Sequence, residues 1–187
     1  MSVIEFVSGV LLLLLTPGPT NTLLALGASR NGFARSLPLM VAELVAYLLI
    51  ITPLATVAAP WLEQFPTVTR LLKACAALWI LYLALKLWLP EVGAVRMVSV
   101  TQVFVTTLLN PKGIVIGLVL MPQGSLLSIW FHLAIAALLI ILASVSWLSF
   151  GAFALGRIAD GNRFDLRRIA SVALFGFSLL LTSSLFA

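Results

Sequence analysis

The sequence predicts an all-α integral membrane protein: six transmembrane helices, set out as two inverted three-helix repeats, with helices one and four broken. Three observations lead there. Hydrophobic residues make up 62% of the 187, mean hydropathy is +1.19 and only 9% of residues are charged, where a soluble domain carries about 25%. Six largely uncharged stretches are long enough to cross a hydrocarbon core of about 30 Å, which takes about 20 apolar residues. Prolines interrupt the first and fourth of these near mid-span. The composition argues against a cytosolic enzyme and against disorder. Cys75 is the only cysteine, so no disulfide can form within the chain.

Taken in order, the spans fall at residues 3–28, 37–59, 68–89, 97–121, 126–155 and 169–186, the fifth long enough to tilt. The connections carry turn chemistry: Ser29-Arg30-Asn31-Gly32, Pro60 to Pro66, Pro90-Glu91-Val92-Gly93, Pro122-Gln123-Gly124 and Asp160-Gly161-Asn162. No stretch reads as a soluble domain, so residues 1–187 form one transmembrane domain, with repeat one at 1–89 and repeat two at 96–187. The apolar run Val10 to Leu15 followed by small residues has something of a secretory signal. Glu5 occupies the place of a basic n-region and the apolar stretch continues past Pro19, so the first span is expected to be retained.

Lys and Arg in short loops stay on the cytoplasmic side. Arg30, Arg35, Lys86, Arg96, Arg157, Arg163, Arg167 and Arg168 fall on one side, Arg70 and Lys73 on the other. Both termini are therefore expected outside. The net charge of +5 is absorbed by topology, which leaves no case for nucleic acid. Trp61, Trp88 and Trp130 lie near span ends, where indole rings suit the interface, while Trp79 and Trp147 are mid-span and expected between helices.

The first break is Thr16-Pro17-Gly18-Pro19-Thr20-Asn21 and the fourth span holds Asn110-Pro111-Lys112-Gly113. Proline removes a backbone donor and clashes with the preceding turn. In hydrocarbon such a break persists only where protein or a polar cavity covers it. Corresponding faults in spans one and four divide the chain into three plus three, and an odd number of spans per repeat inverts the second half. Half-helix N-termini then offer N–H groups to anions, and opened carbonyls suit cations.

Thr16-Pro17-Gly18-Pro19 with Asn21, then Arg30-Asn31-Gly32, Leu109-Asn110-Pro111-Lys112 and Met121-Pro122-Gln123, taken in order along the whole chain, resemble the lysine exporter family of amino-acid effluxers (LysE/RhtB). That family pairs a Pro-Gly-Pro break in span one with an Asn-Pro-Lys break in span four and an acidic residue in span two, here Glu43. Thr20 stands where Asn or Asp is usual, Glu43 follows Ala42 where Gly-Asp is frequent, and Ser36 and Val103 replace glycines. The resemblance implies a multi-pass protein of the bacterial inner membrane that exports amino acids or related small metabolites, driven by the proton-motive force. It implies no cofactor.

Glu43 and Lys112 are the charged residues well inside predicted spans, and each costs at least about 2.5 to 3.5 kcal/mol to insert. Glu43 is expected to bind a substrate amine or carry the coupled proton, and Lys112 to meet the substrate carboxylate; the competing reading is a structural ion pair. At 1.5 Å per residue, Glu43 lies about 7 Å to the cytoplasmic side of the midplane and Lys112 a few ångströms beyond it, so a direct pair needs both side chains extended. The expected substrate-binding set is Pro17, Gly18, Pro19, Thr20, Asn21, Glu43, Tyr47, Asn110, Pro111 and Lys112, with proton coupling at Glu43. Tyr47, one turn after Glu43, shares its face. Ser144 offers a hydroxyl to the same cavity or a bond between helices. His132 stands alone near a span end. No metal site or catalytic set is visible, so an enzyme is not expected. Gly113 and Gly117 form a GxxxG element, expected to pack against span one or six within the chain, with homodimerisation as the alternative. The other functional readings are a cation or metal exporter and a non-transport membrane scaffold.

Overall fold

The structure is a computed structural model. It describes residues 2–58, 98–122, 124–155 and, from the remaining segments, Thr67, Leu71, Ala74, Leu78, Trp79, Leu81, Tyr82, Ala84, Leu85, Trp88, Arg168, Ser171, Val172, Phe175, Gly176 and Leu179. The expected spans at 68–89 and 169–186, and the turns around Pro60, Pro90 and Gly161, lie largely or wholly outside the described residues. Among the described residues the chain is helical, with no strand.

Helix α1 (Val3–Leu15) begins with a capping box in which Ser2 and Glu5 satisfy each other's backbone N–H groups. It ends at Thr16. Helix α2 (Pro19–Asn31) begins at Gly18 with Pro19 in its first turn, where the missing donor costs nothing. The axes of α1 and α2 differ by 59°. Gly32 closes α2 at φ +77°, a conformation that glycine adopts without a Cβ penalty. A short 3₁₀ turn, Ala34–Ser36, leads into α3 (Leu37–Pro53), which continues as a π-helical turn, Leu54–Ala58.

Helix α4 (Val100–Leu108) opens with a second capping box, Ser99 with Gln102. Asn110 caps α5 (Pro111–Val115), which again has proline in its first turn and runs on as a π-helical turn, Ile116–Leu120. The bend between α4 and this second half is 45°. After Gly124, at φ +156° with its N–H on the Ala55 carbonyl at 3.1 Å, α6 (Leu126–Ser149) continues as a π-helical turn, Phe150–Leu155. The described elements of 2–58 and of 99–155 follow a similar order of capping box, half-helix, proline-started half-helix and long helix ending in a π-turn, with a 3₁₀ turn added in the first and a further π-turn in the second.

Ala34–Val57 has 24 residues and Leu126–Leu155 has 30, roughly 36 and 45 Å at 1.5 Å per residue. These two are long and apolar enough to cross a membrane, and counting each bent pair as one span makes four. The expected second span shifts by a few residues, because the 3₁₀ turn adds to its start and its described helix ends at Ala58. On α3, Leu39, Ala42, Glu43, Ala46, Tyr47 and Ile51 face inward, while Val41, Val45 and Leu49 are exposed. An exterior this apolar suits hydrocarbon rather than water.

Helix α3 packs against α4 and α6, and α2 packs against α6 and its π-turn. A Cβ on Gly113 would lie 2.8 Å from Ile50 Cγ2, and one on Gly117 2.8 Å from Leu54 Cβ. The GxxxG element therefore packs within the chain, but against α3 and its π-turn. Where span one was expected, the nearest described neighbours are β-branched and leucine side chains on α3, which fill the flat strip that the glycines leave; the expected span six lies largely outside the described residues. That strip is consequently not a free dimerisation face.

Trp79 packs against the interior and donates its indole N–H to Thr106 Oγ1 at 2.9 Å. Trp88 and Trp130 are exposed, and Arg168 lies over the Trp88 ring at 5.2 Å. Trp61 lies outside the described residues. His132 meets Phe6 edge-on at 5.1 Å.

Candidate substrate site

Two apolar clusters fill the interior. One gathers Leu23, Leu24, Ala28, Leu39, Ala42, Val103 and Leu148, with Phe33 beside it. The other gathers Phe6, Val10, Leu14, Tyr47, Ile51, Ile116, Ala136, Ile140 and Ala143. Apart from Ser36, which bonds Gly32 O at the start of α3, and Ser171, which bonds Ala84 O, the buried polar residues among those described fall at the junction between the two clusters. On α1 and α2 they are Thr20 and Asn21, between Leu14 and Leu23. On α3 it is Glu43, between Ala42 and Tyr47. On α4 and α5 they are Thr106, Thr107, Asn110 and Lys112, between Val103 and Ile116. On α6 it is Ser144, between Ala143 and Leu148. The result is one polar layer with apolar packing on both sides.

Breaking α1 frees carbonyls that no intrahelical N–H can reach. Asn21 returns across the break and uses both hydrogens of its amide, donating to Leu14 O at 2.8 Å and Thr16 O at 2.9 Å. The Lys112 ammonium, arriving from the other half of the chain, also donates to the Thr16 carbonyl. Gly18 leaves room for it: a Cβ there would lie 3.1 Å from both Lys112 Cε and Nζ, so the lysine end would have to shift by a few tenths of an ångström.

The second break is organised by Asn110. Its Oδ1 accepts from Lys112 N at 3.1 Å, which caps α5. Its Nδ2 donates to Thr20 Oγ1 at 3.1 Å and to the Tyr47 hydroxyl at 3.3 Å. Thr107 adds a hydroxyl bond to Thr20 at 3.2 Å. One amide therefore joins α2, α3 and α5, and each break holds residues of the other.

Glu43 takes a different partner. Its Oε2 lies 2.5 Å from Ser144 Oγ, and Ser144 Oγ also lies 2.7 Å from Ile140 O. Among the described residues no ion pair joins Glu43 to Lys112; the ammonium is on Thr16 and the carboxyl on Ser144.

Of the expected site residues, Gly18, Pro19, Thr20, Asn21, Glu43, Tyr47, Asn110 and Lys112 are buried in or beside this layer. Pro111 is half-buried at the start of α5, and Pro17 is exposed at the kink, outside the network. Tyr47 bonds Asn110 where the shared helical face pointed to Glu43. Thr107, which the sequence reading passed over, is fully buried in the layer. Its signal was its place at the end of the half-helix that leads into the break at Asn110. The Thr16 carbonyl was also missed, and a backbone acceptor leaves no trace in the residue types. Among the described residues no group of three or more His, Cys, Asp or Glu gathers.

Comparison with protein-family models, curated proteins and solved structures finds no match for this chain.

Proposed function

We propose that this protein is a secondary-active exporter of amino acids or related small metabolites, coupled to protons and working by alternating access around the polar layer. The observation that carries the reading is that layer itself. It places a carboxyl, an ammonium and the ends of two interrupted helices together under apolar packing on both sides, the arrangement of a transport site shut to both faces. In this reading the chain crosses the bacterial inner membrane six times, N-out and C-out, as two inverted three-helix repeats. The similar order of caps, breaks and π-turns in the two halves supports the repeat, and the basic loops support the orientation.

Substrate recognition divides between the two charges. The substrate carboxylate takes Lys112, which exchanges the Thr16 carbonyl for it, together with the free N–H groups at the start of α2. Glu43 carries the coupled proton. The cation reading is weaker because the carbonyls opened at the first break, Leu14 O and Thr16 O, already accept from Asn21 and Lys112.

Uptake of labelled amino acids and of labelled divalent metal into inverted vesicles carrying the protein tests the assignment. Accumulation of at least one amino acid, dissipated by a protonophore, is expected. Accumulation of metal alone would transfer the site to cations, and accumulation of neither would remove the transport assignment.

A further inference from the structure

Ser144 has one hydroxyl hydrogen and two acceptors within reach, Glu43 Oε2 at 2.5 Å and Ile140 O at 2.7 Å. All of this is buried: Ser144 is 1% exposed and Glu43 2%. A hydroxyl donates one bond and accepts others, an ionised carboxylate only accepts, and a protonated one donates from its O–H. The two protonation states of Glu43 therefore demand opposite hydrogen-bond directions at one short contact.

From this geometry we infer that Ser144 is a reversible hydrogen-bond partner that holds Glu43 in place in both of its protonation states. With Glu43 ionised, the Ser144 O–H turns to Oε2. When a proton from the open aqueous side binds Glu43, a new carboxyl O–H forms and donates to Ser144 Oγ, and the serine hydroxyl turns to the Ile140 carbonyl. Ser144 keeps its own hydrogen throughout, and no bond other than the carboxyl O–H is made or broken. The Ile140 carbonyl accepts or releases the hydroxyl freely, because it has two lone pairs and the helix ladder occupies one. A buried carboxyl with a fixed donor would be left unsatisfied in one of its two states. This role rests on the transport reading for its purpose, but not for its measurement.

The other groups around Glu43 leave this task to Ser144. The titratable or charged groups that act on it among the described residues are Tyr47 on its own helix and Lys112 from α5. Tyr47 bonds Asn110 and Lys112 bonds Thr16. Helices α2 and α4 bring only the neutral Thr20, Asn21, Thr106 and Thr107 to the layer.

The test is infrared difference spectroscopy of the purified protein across a pH titration, with the Glu43 carboxyl band assigned by its loss in Glu43→Gln. Ser144→Ala is expected to move that C=O band to higher frequency, as a carboxyl that loses its hydrogen-bond partner does. It should also displace the titration midpoint by up to about one unit, the excess of a hydrogen bond to the charged carboxylate over one to the neutral acid. Ser144→Thr, which keeps the hydroxyl, should restore both. In vesicles, Ser144→Ala should displace the pH profile of efflux by the same amount. A Glu43 band and midpoint unchanged in Ser144→Ala would overturn the inference, even if that variant were less stable. If both move as expected but no substrate is transported by the unmodified protein, the partnership stands and the transport reading falls.

Discussion

Asn110→Leu is the sharpest probe of the layer, because leucine keeps the branched outline and heavy-atom count of asparagine and removes every polar atom. Three bonds disappear: those to Lys112 N, Thr20 Oγ1 and the Tyr47 hydroxyl. Hydrogen bonds between helices in membranes average about 0.6 kcal/mol and protein bonds in general about 1. The loss is therefore about 2 to 3 kcal/mol, a roughly 30- to 150-fold shift in the unfolding equilibrium. Burial raises the cost toward the upper figure, since Asn110 and Thr20 are at most 1% exposed and water cannot replace the lost partners. The assay is equilibrium unfolding in mixed micelles titrated with SDS, followed by tryptophan fluorescence. Tyr47→Phe removes one arm of the network, so a double-mutant cycle with Asn110→Leu should return a coupling of about 0.6 kcal/mol or more. If Asn110→Leu is as stable as the unmodified protein, or if the cycle returns no coupling, the amide does not join the helices as described.

Other consequences follow from the same geometry. A Cβ at Gly151 would land on the backbone of Ala25, which cannot yield; Gly151→Ala should lose roughly 1 to 3 kcal/mol in the same unfolding assay, whereas Gly18→Ala, which meets only the mobile end of Lys112, should lose much less. Lys112→Met should abolish the preference for free amino acids over their amides as competitors, since an ion pair at 4 Å is worth about 4 kcal/mol at an effective dielectric of 20 before desolvation; equal competition by acids and amides in the unmodified protein would make Lys112 structural. Ala34→Cys, at an exposed position between α2 and α3 and in a Cys75→Ser background, should react with an impermeant thiol reagent only from the cytoplasmic side, and labelling from outside would reverse the topology.

Much of the helical order was legible in the residues. Apolar runs marked α3 and α6, because length and apolar character are local properties; α3 tolerates Pro38 in its first turn, where the missing donor costs nothing, and Pro53 at the junction with its π-turn. The breaks were legible for the same reason: Pro17 to Pro19 and Asn110-Pro111 cannot continue a helical ladder. Partner choice was less accessible. Gly113 and Gly117 announce a close contact without saying that Ile50 and Leu54 fill it. Ser144 announces a hydroxyl on an apolar helix, but its contact with Glu43, 101 residues away in the chain, depends on how α3 and α6 rotate against each other. Lys112 was expected on a substrate, and in the closed layer its ammonium rests on a backbone carbonyl.

The most direct test of the central claim is proton-coupled flux with and without the Glu43 carboxyl. Purified protein would be reconstituted into vesicles, an imposed pH gradient would drive labelled amino-acid movement, and an internal dye would follow protons. Unmodified protein should move substrate and protons together. Glu43→Gln, which keeps the volume but cannot exchange a proton, should lose both gradient-driven movements and retain counterflow. Gradient-driven transport by Glu43→Gln at the normal rate and pH dependence would contradict the account.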